Sequence, residues 1–504
     1  MKKLLIFSMA LLGSGMLYAQ NINDALRYST TNPTGTARFN ALGGAFGALG
    51  GDLSAVSINP ASSAVFTRNT VSFSLSNDNF DNEVNYFNGA TSNADSDIAF
   101  NQIGGVFVFE SQPDARWKKF AIGFNYDRSQ DFDDQFIAAG TGNTSIANYF
   151  LNFAQGVPLD LLELRPDETI GDLYQFLGEN EGFGAQQAFL GYQSFVIDPI
   201  NFDANNTNYI SNVAGNSFEQ EYAFASAGYN GKGAFNISAQ YQDDFYIGVN
   251  LNSHFFDYEQ SSVLRENNAN EGSFVNAIRF ENNLRTFGSG FSFQIGAIHK
   301  LGDNLRVGLT YDSPTWLTVS EEGSQRISSE RVENENLITT NVNPGILNIY
   351  QDYQLTTPAR YSGSIAYLFG TQGLLSFDYV YTDFTQLSFR PKGDAFFSEQ
   401  NAIIDAQLQG VSTYRLGGEY RYGQWSFRGG YNYTESPFVN QQTIGELTGY
   451  SLGLGYNFGN TKLDVSYQNQ EQNRNQALFS TGLTSEAGIQ RNAEIITATL
   501  TFSL

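Results

Sequence analysis

The chain of 504 residues contains no cysteine, which excludes disulfides, lipid anchors on cysteine and thiolate metal sites. It contains only two histidines, His254 and His299, so imidazole catalysis and histidine metal clusters have little basis. Ser253 neighbours His254, but adjacent residues of a strand point to opposite faces and cannot form a catalytic pair. We therefore predict no enzymatic activity, no metal site and no cofactor.

Basic residues are scarce as well, with 27 Lys and Arg against 51 Asp and Glu and a formal net charge of −24. Nucleic-acid affinity comes largely from Lys and Arg that meet phosphates, so we predict no nucleic-acid partner. Beyond the N-terminus, no segment approaches the length of apolar sequence that a transmembrane helix needs. A membrane protein without such helices must be a closed β-barrel.

The N-terminus has the pattern of a secretory signal peptide. Lys2 and Lys3 precede an apolar stretch over residues 4–17, and Ala19 supplies a small residue before a cut near Gln20. We predict a signal peptide over 1–19 and a mature protein in the outer membrane of a Gram-negative cell. The alternative is an uncleaved membrane anchor.

Alternation with a period of two residues is the main positive signal. Over residues 305–312, Leu, Val, Leu and Tyr alternate with Arg, Gly, Thr and Asp. An apolar face that ends in aromatic residues suits lipid, and an opposite face rich in Gly, Asn and charge suits a lumen. The sequence predicts an all-β fold, a transmembrane antiparallel β-barrel of about fourteen strands. The strands are expected near 70–78, 99–110, 118–130, 218–242, 245–258, 288–300, 304–314, 351–369, 373–390, 408–422, 424–436, 446–459, 461–472 and 490–503.

Connections of two lengths separate these strands. Six short connections alternate with seven long ones, so both ends of the barrel are expected on the periplasmic side, with the long loops outside. We assign the barrel to 69–504 and predict that the long extracellular loop at 131–217 is partly helical. The closing strand, with Phe502 near its end, is typical of the signal read by the outer-membrane assembly machinery. Outer-membrane lipid is the other expected partner, and the protein is expected to be a monomer.

Glycines interrupt the fourth predicted strand. Gly228, Gly231 and Gly233 fall inside a segment that otherwise alternates, and glycine inside a strand marks a bulge or a bend. They mark either a kink in one strand or a turn between two. A kink keeps the strand number even, so we favour the kink.

The segment between the signal peptide and the barrel, 20–68, does not alternate and is rich in glycine. Its stretch 36–46 (TARFNALGGAF) and its continuation 52–61 (DLSAVSINPA) resemble the start of mature proteins in the outer-membrane family of long-chain fatty-acid and hydrophobic-compound transporters (FadL/TodX type). Weaker similarity follows at 308–314, 357–361 and 428–433.

The resemblance implies a fourteen-stranded barrel whose N-terminal segment folds inside the lumen as a hatch. It implies that hydrophobic substrates are captured by outer loops and leave sideways through a gap at a kinked strand. On this basis Asn59, Pro60 and Ala61 belong to the hatch near the exit, Phe46 lies in the same segment, and the glycines of the fourth strand are candidates for the kink. The alternative is a structural plug without a transport role.

Two further groups of residues are candidates for ligand binding. In the long loop, Phe150, Phe153, Leu173 and Phe176 recur at helical spacing and either capture an apolar ligand or pack the helices onto the rim. In the wall, alternation points Arg415 and Arg428 into the lumen, where they pair either with a ligand carboxylate or with acidic groups in a ladder between wall and hatch.

These observations lead to one favoured function and two alternatives. The favoured function is passive, gated uptake of hydrophobic molecules such as long-chain fatty acids across the outer membrane. The alternatives are a general porin for hydrophilic solutes and a non-transport component of protein secretion built on the same barrel.

Overall fold

The structure is a computed structural model that describes residues 21–32 and 34–504. The predicted signal peptide, 1–19, lies outside the described residues. No helix in the described part of the chain is long and apolar enough to cross a membrane.

The helices belong to the N-terminal segment and to the loops. In the described residues they are α1 (Ile22–Ser29), α2 (Ala37–Ala41), α3 (Leu53–Val56), α4 (Ala147–Ala154), α5 (Ile170–Asn180), α6 (Phe183–Gln193) and α7 (Ala395–Gln407), with 3₁₀ turns at Pro60–Val65, Leu159–Leu161 and Phe384–Gln386.

The strands make up most of the rest. In the described residues they are β1 (Thr70–Tyr86), β2 (Gly89–Glu110), β3 (Trp117–Asp131), β4 (Asp134–Gly142), β5 (Ile197–Pro199), β6 (Tyr209–Ser211), β7 (Phe218–Tyr241), β8 (Phe245–Asn267), β9 (Val275–Leu301), β10 (Leu305–Asp312), β11 (Trp316–Glu333), β12 (Asn336–Val342), β13 (Asn348–Ile349), β14 (Tyr353–Thr356), β15 (Arg360–Leu368), β16 (Gly373–Asp383), β17 (Ser388–Arg390), β18 (Gly410–Tyr422), β19 (Trp425–Thr434), β20 (Ile444–Asn457), β21 (Thr461–Ala477) and β22 (Glu486–Ser503).

Fourteen of these strands close one antiparallel barrel, which confirms the predicted fold class. The ring runs β1–β2–β3–β7–β8–β9–β10–β15–β16–β18–β19–β20–β21–β22, and β22 pairs with β1 from Thr70↔Ser503 to Asn85↔Gly488. Both ends of the barrel therefore lie on the side of the short turns. The lipid-facing surface is apolar, as in the pair Phe109↔Phe120, whose side chains are exposed to 54% and 45%.

Several segments predicted as loops are strands. β1 and β2 continue into a hairpin through the predicted loop at 79–98, and β8, β9 and β11 extend through much of 259–287 and 315–350. Above the membrane both faces of a sheet meet polar surroundings, so the contrast between an apolar and a polar face fades while the main-chain pairing goes on. The period-two signal therefore ends at the membrane boundary, before the strands end.

Two other predictions are wrong in detail. The predicted strand at 351–369 is two strands, because Pro358 falls between β14 and β15 and cannot donate to a ladder. β14 then pairs with β11, whereas β15 pairs with β10 and β16. The predicted strand at 373–390 ends at Asp383, and the loop after it contains α7.

The fourth barrel strand, β7, is a single strand and not two strands joined by a turn. It pairs without interruption with β8 from Glu219↔Asn267 to Tyr241↔Phe245. Gly228 has a φ of 123°, a conformation that favours glycine, and its carbonyl accepts a hydrogen bond of 2.9 Å from Phe132 N.

The N-terminal segment, residues 21–32 and 34–66, lies inside the lumen and is called the hatch below. Lumen-facing side chains of the wall donate hydrogen bonds to its backbone carbonyls, for example Asn250 to Val56 O (2.8 Å), Gln294 to Ser57 O (3.0 Å) and Arg306 to Leu49 O (2.7 Å). In the other direction, Gly47 N donates to Asp378 Oδ2 at 2.9 Å. The barrel thus supplies the partners that an irregular buried backbone needs.

A belt of lumen-facing glycines lets the hatch approach the wall closely. A Cβ on Gly417 would lie 2.5 Å from Leu42 O, and a Cβ on Gly430 would lie 2.5 Å from the carbonyl carbon of Leu42. Further glycines where a Cβ would overlap hatch atoms are Gly248, Gly296, Gly308 and Gly453. Any larger side chain at these positions would occupy space that the hatch fills.

Replacing one glycine of this belt is expected to unseat the hatch. Gly430→Leu places a side chain against hatch backbone, and we expect a loss of about 1–3 kcal/mol in the free energy of unfolding, as for overpacked cores. The loosened hatch should also give single-channel conductance in planar bilayers. The matched control is Gly429→Leu, because Gly429 faces away from the lumen and its nearest neighbours are 3.8 Å from the added Cβ. Equal behaviour of both variants would contradict this seating.

Candidate functional site

A cavity with a volume of about 990 Å³ occupies the lumen between the extracellular helices and the hatch. Tyr149 and Phe183 line it on the side of the extracellular helices, and Asn40, Gly43 and Gly44 of the hatch line it below. Its walls mix apolar side chains with Asn, Gln and paired charges. The cavity therefore has an apolar part and a part lined by hydrogen-bonding groups.

Helix α1 closes one side of this cavity. Ile22 and Leu26 line it, while Tyr28 stacks on Phe256 of the wall at 4.4 Å between ring centroids. Asp24 pairs with Arg27 at 2.5 Å. Burial raises the pKa of the Asp24 carboxyl above its usual range, although Arg27 opposes that shift.

The residues singled out in the hatch are fully buried and hold it in shape. Asn59 Nδ2 donates to Gly47 O at 2.7 Å and to Ala297 O of the wall at 3.1 Å, and its Oδ1 accepts from Ala61 N. Pro60 begins the 3₁₀ turn, and Asn236 of the wall donates to its carbonyl at 2.9 Å. Phe46 packs on Phe39 within the hatch, with ring centroids 5.6 Å apart. None of these four candidates, Phe46, Asn59, Pro60 and Ala61, lines the cavity.

The two candidate arginines of the wall have different surroundings. Arg428 is buried and donates to Glu419 at 2.7 Å and to Asp464 at 2.7 Å. Glu419 also accepts from Arg38 of the hatch at 2.9 Å, so this ladder joins wall and hatch. Arg415 instead lines the cavity, next to the hatch turn at Gly44, whose added Cβ would lie 3.4 Å from Arg415 Cδ.

The candidate residues in the long loop also differ in how far they are buried. Phe150 is fully buried and Leu173 is 5% exposed, within the cluster that packs the extracellular helices onto the strand tips. Phe153 is half-buried and packs edge-on to Phe183 at the side of the cavity. Phe176 is 44% exposed on the outer surface.

The barrel wall opens between β2 and β3. These strands pair only from Gln102↔Asp127 to Glu110↔Lys119, and no ladder joins residues 89–101 of β2 to β3 or β4 in the described part of the chain. Farther towards the extracellular end, β4 contacts β2 again, where the Gln135 side chain donates through Nε2 to Ala94 O at 3.0 Å. Between these two contacts lie residues 95–101, roughly 20 Å of strand at about 3.3 Å per residue.

Ion pairs cross the inner side of this opening. Arg128 of β3 bonds to Asp78 of β1 and lies 3.3 Å from Asp131, and all three side chains line the cavity. Above them, Asp134 binds Arg474 at 2.5 Å and Arg491 at 3.0 Å.

Sequence reasoning missed this set of residues, although one signal was present. On β3, Phe120, Ile122, Phe124 and Tyr126 face outward, so strict alternation would place Arg128 in lipid. The strand avoids this with a register shift between Arg128 and Gln130, which turns the charge inward.

The predicted glycines lie one strand interface away from the opening. Gly231 and Gly233 pair with Arg128 and Tyr126 across β3–β7, where the ladder continues. Gly228 N donates to Asp133 Oδ1 at 3.0 Å, so this glycine is joined to the point where the chain bends from β3 into β4.

The ladder around Glu419 allows a test of how the hatch is held. Glu419→Gln leaves the largely buried Arg38 without its carboxylate and leaves Arg428 with Asp464 alone, and we expect a loss of about 3–5 kcal/mol in the free energy of unfolding in lipid vesicles. The control is Glu221→Gln, because the Glu221–Arg265 pair is about half exposed and such pairs contribute about 1 kcal/mol or less. Similar losses in the two variants would contradict a buried joint between hatch and wall.

Comparison with known proteins identifies the family to which the chain belongs. A family model described as outer membrane protein transport protein (OMPP1/FadL/TodX) matches residues 200–503. A search of curated proteins found no match. A crystal structure of a Pseudomonas aeruginosa FadL homologue is 13% identical, with a TM-score of 0.54 over 94% of this chain and 99% of that chain. The Pseudomonas putida toluene transporter TodX is 12% identical, with a TM-score of 0.49 over 93% and 98%. The chain belongs to the OMPP1/FadL/TodX family of outer membrane transport proteins.

Proposed function

We propose that the protein takes up hydrophobic molecules with long apolar chains, such as long-chain fatty acids, by passive diffusion through a gated barrel. The substrate enters the cavity below the extracellular helices, stops at the hatch and leaves sideways through the opening between β2 and β3. The solved relatives include a toluene transporter, which makes monoaromatic hydrocarbons the second substrate class to test. Delivery requires cleavage of the signal peptide near Ala19.

The observation that carries this proposal is the position of the wall opening beside the cavity. Asp78, Arg128 and Asp131, which lie on the inner side of the opening, also line the cavity. Outside the opening the surface is apolar, with Ile98 exposed to 74% and Phe100 to 43%. A hydrophobic molecule that leaves here passes directly from the cavity into lipid, with no crossing of the polar periplasmic end.

The hatch is joined to the edge of the opening, which supports a role in gating. Asn32 N donates to Ser129 O at 3.0 Å, and Thr34 Oγ1 donates to Arg128 O at 3.1 Å. A shift of the segment before α2 would therefore release the bent part of β3. In this proposal Asn59, Pro60, Ala61 and Phe46 keep the rest of the hatch fixed while that segment moves.

The loop candidates have separate roles in this route. Phe153, beside Phe183, and Phe176 on the outer surface are proposed as the entry surface for an apolar ligand. Phe150 and Leu173 hold the helices together, since both are buried in the loop core.

The porin alternative has less support. A porin needs an open aqueous lumen, and here the hatch fills the lumen with backbone packed on wall glycines. A role in protein secretion would require a partner protein, and that partner would co-purify with the barrel in a stoichiometric amount.

Closing the opening tests the route. Phe132 and Asp133 join β3 to β4, and deleting both keeps the alternation of side chains while it straightens the third barrel strand. We expect the uptake of radiolabelled hexadecanoic acid to fall at least tenfold, roughly to the background of cells without the protein. The measurement is initial uptake by cells that lack their own transporter.

The matched control is deletion of Asn440 and Gln441 in an exposed loop between β19 and β20. Both variants should reach the membrane in equal amounts and keep the gel mobility of a folded barrel. Unchanged uptake by the folded Phe132–Asp133 deletion would exclude a lateral exit at this place. No uptake by the unaltered protein, for fatty acid and toluene alike, would overturn the proposed function itself.

A further inference from the structure

We infer that β12 is a docking strand whose free edge binds an extended segment of another, soluble protein. That segment carries a basic residue two positions away from an apolar one. The inference concerns the side of the long loops and goes beyond uptake through the barrel. The residues that form the edge do not line the cavity in the described part of the chain; they are Leu337, Thr339 and Asn341.

The free edge belongs to the hairpin of β11 and β12, which ends in the closing pair Glu333↔Asn336. The two turn residues between them have φ values of 50° and 66°, as in a two-residue turn of type I′. In such a hairpin the closing pair exchanges hydrogen bonds, and pairs that bond and pairs that do not then alternate along the strands. The main-chain N–H and C=O groups that point away from β11 are therefore those of Leu337, Thr339 and Asn341.

These outward main-chain groups have no partner within residues 21–32 and 34–504, where β12 forms a ladder with β11 alone. Natural edge strands are usually protected from pairing with other chains by charged side chains, proline, bulges or a covering loop. β12 (NLITTNV) contains no charged residue and no proline, and its register with β11 has no bulge. An unprotected edge of this kind is the template to which an extended peptide adds as a further strand.

The side chains beside the edge define what the added strand must carry. Val332 and Leu337 form a cross-strand pair and are exposed to 54% and 63%, so an apolar residue of a third strand would pack beside Leu337. Glu330 lies opposite Thr339 on the same face and has no ion pair in the described part of the chain. A Lys or Arg placed beside Thr339 would reach this carboxylate. The expected segment therefore has a basic and an apolar residue two positions apart.

A second copy of this chain does not fit the edge. β12 lies alongside β11, which rises from the barrel, so antiparallel pairing of two such edges would turn the second barrel upside down in the membrane. Parallel pairing would bring Glu330 and Glu335 of the two copies close together, and like charges on neighbouring strands repel. Charge complementarity therefore favours a different protein with a basic segment.

The test uses a synthetic peptide as the probe. Purified full-length protein is titrated with fluorescently labelled Thr-Thr-Lys-Thr-Ile-Thr, which in antiparallel register places its Lys beside Thr339 and its Ile beside Leu337. We expect saturable binding with a Kd below about 1 mM. N-methylation of the peptide at Lys should abolish binding, because that N–H faces β12. N-methylation at the next Thr should leave binding unchanged, because that N–H faces away.

Two variants test the edge from the side of the protein. Thr339→Pro removes an outward N–H and leaves the ladder with β11 in place, and we expect binding to weaken at least about fivefold. Glu330→Lys should weaken binding about twofold to fivefold and should make the protein prefer a peptide with Glu in place of Lys. The matched control is Glu83→Lys, which reverses an exposed charge on the hairpin of β1 and β2 and should leave binding unchanged.

All variants should keep the gel mobility of a folded barrel. Equal binding by Thr339→Pro and the unaltered protein, or equal tolerance of the two N-methyl groups, would overturn the docking strand. The absence of saturable binding to the folded, unaltered protein would overturn it as well. A dimer of the unaltered protein that Thr339→Pro abolishes would assign the edge to a second copy and so contradict a separate partner.

Discussion

The close approach of the hatch backbone to the barrel wall is the constraint on which the rest of this structure depends. A barrel of fourteen strands is wide, and an irregular segment inside it brings many backbone N–H and C=O groups away from water. The wall meets this need in two ways. Glycines such as Gly417 and Gly430 let the hatch lie against the strands, and side chains such as Asn250 and Gln294 donate to its carbonyls. Shape and hydrogen bonding together make the hatch part of the barrel core.

The pairing of charged side chains in the lumen depends on where the hatch contacts the wall. Where hatch and wall meet, Arg38 of α2 and Arg428 of the wall both pair with Glu419, and this joint fixes the position of α2. Where the wall opens, Arg128 and Asp78 pair across the gap. Arg415 belongs to neither group, because it faces the cavity. Charge that is fully paired holds the structure, whereas charge that is open to a cavity is available to a ligand.

The sequence predicted the barrel well because lipid on one face and a polar lumen on the other impose a strict alternation. All fourteen barrel strands were located, and the order of short and long connections was correct. Outside the membrane that contrast is lost, so the sequence pattern predicts a loop at 79–98, where the chain forms a hairpin. The opening between β2 and β3 could not be located either, because its main-chain pairing depends on a bulge at Ser129 that no residue type announces. The only local sign was Arg128, a charge at a position that should face lipid.

The same bulge links the two halves of the proposed mechanism. Turning Arg128 inward removes a charge from lipid and places it over the gap, where Asp78 can bind it. It also leaves the carbonyls of Arg128 and Ser129 free of a ladder with β2, and hatch residues Thr34 and Asn32 take them as acceptors. The wall therefore cannot close fully at this point without losing its bonds to the hatch, and the hatch cannot shift there without freeing the strand. A gate that consists of one shared set of hydrogen bonds needs no large movement of the barrel, only a local exchange between hatch and strand.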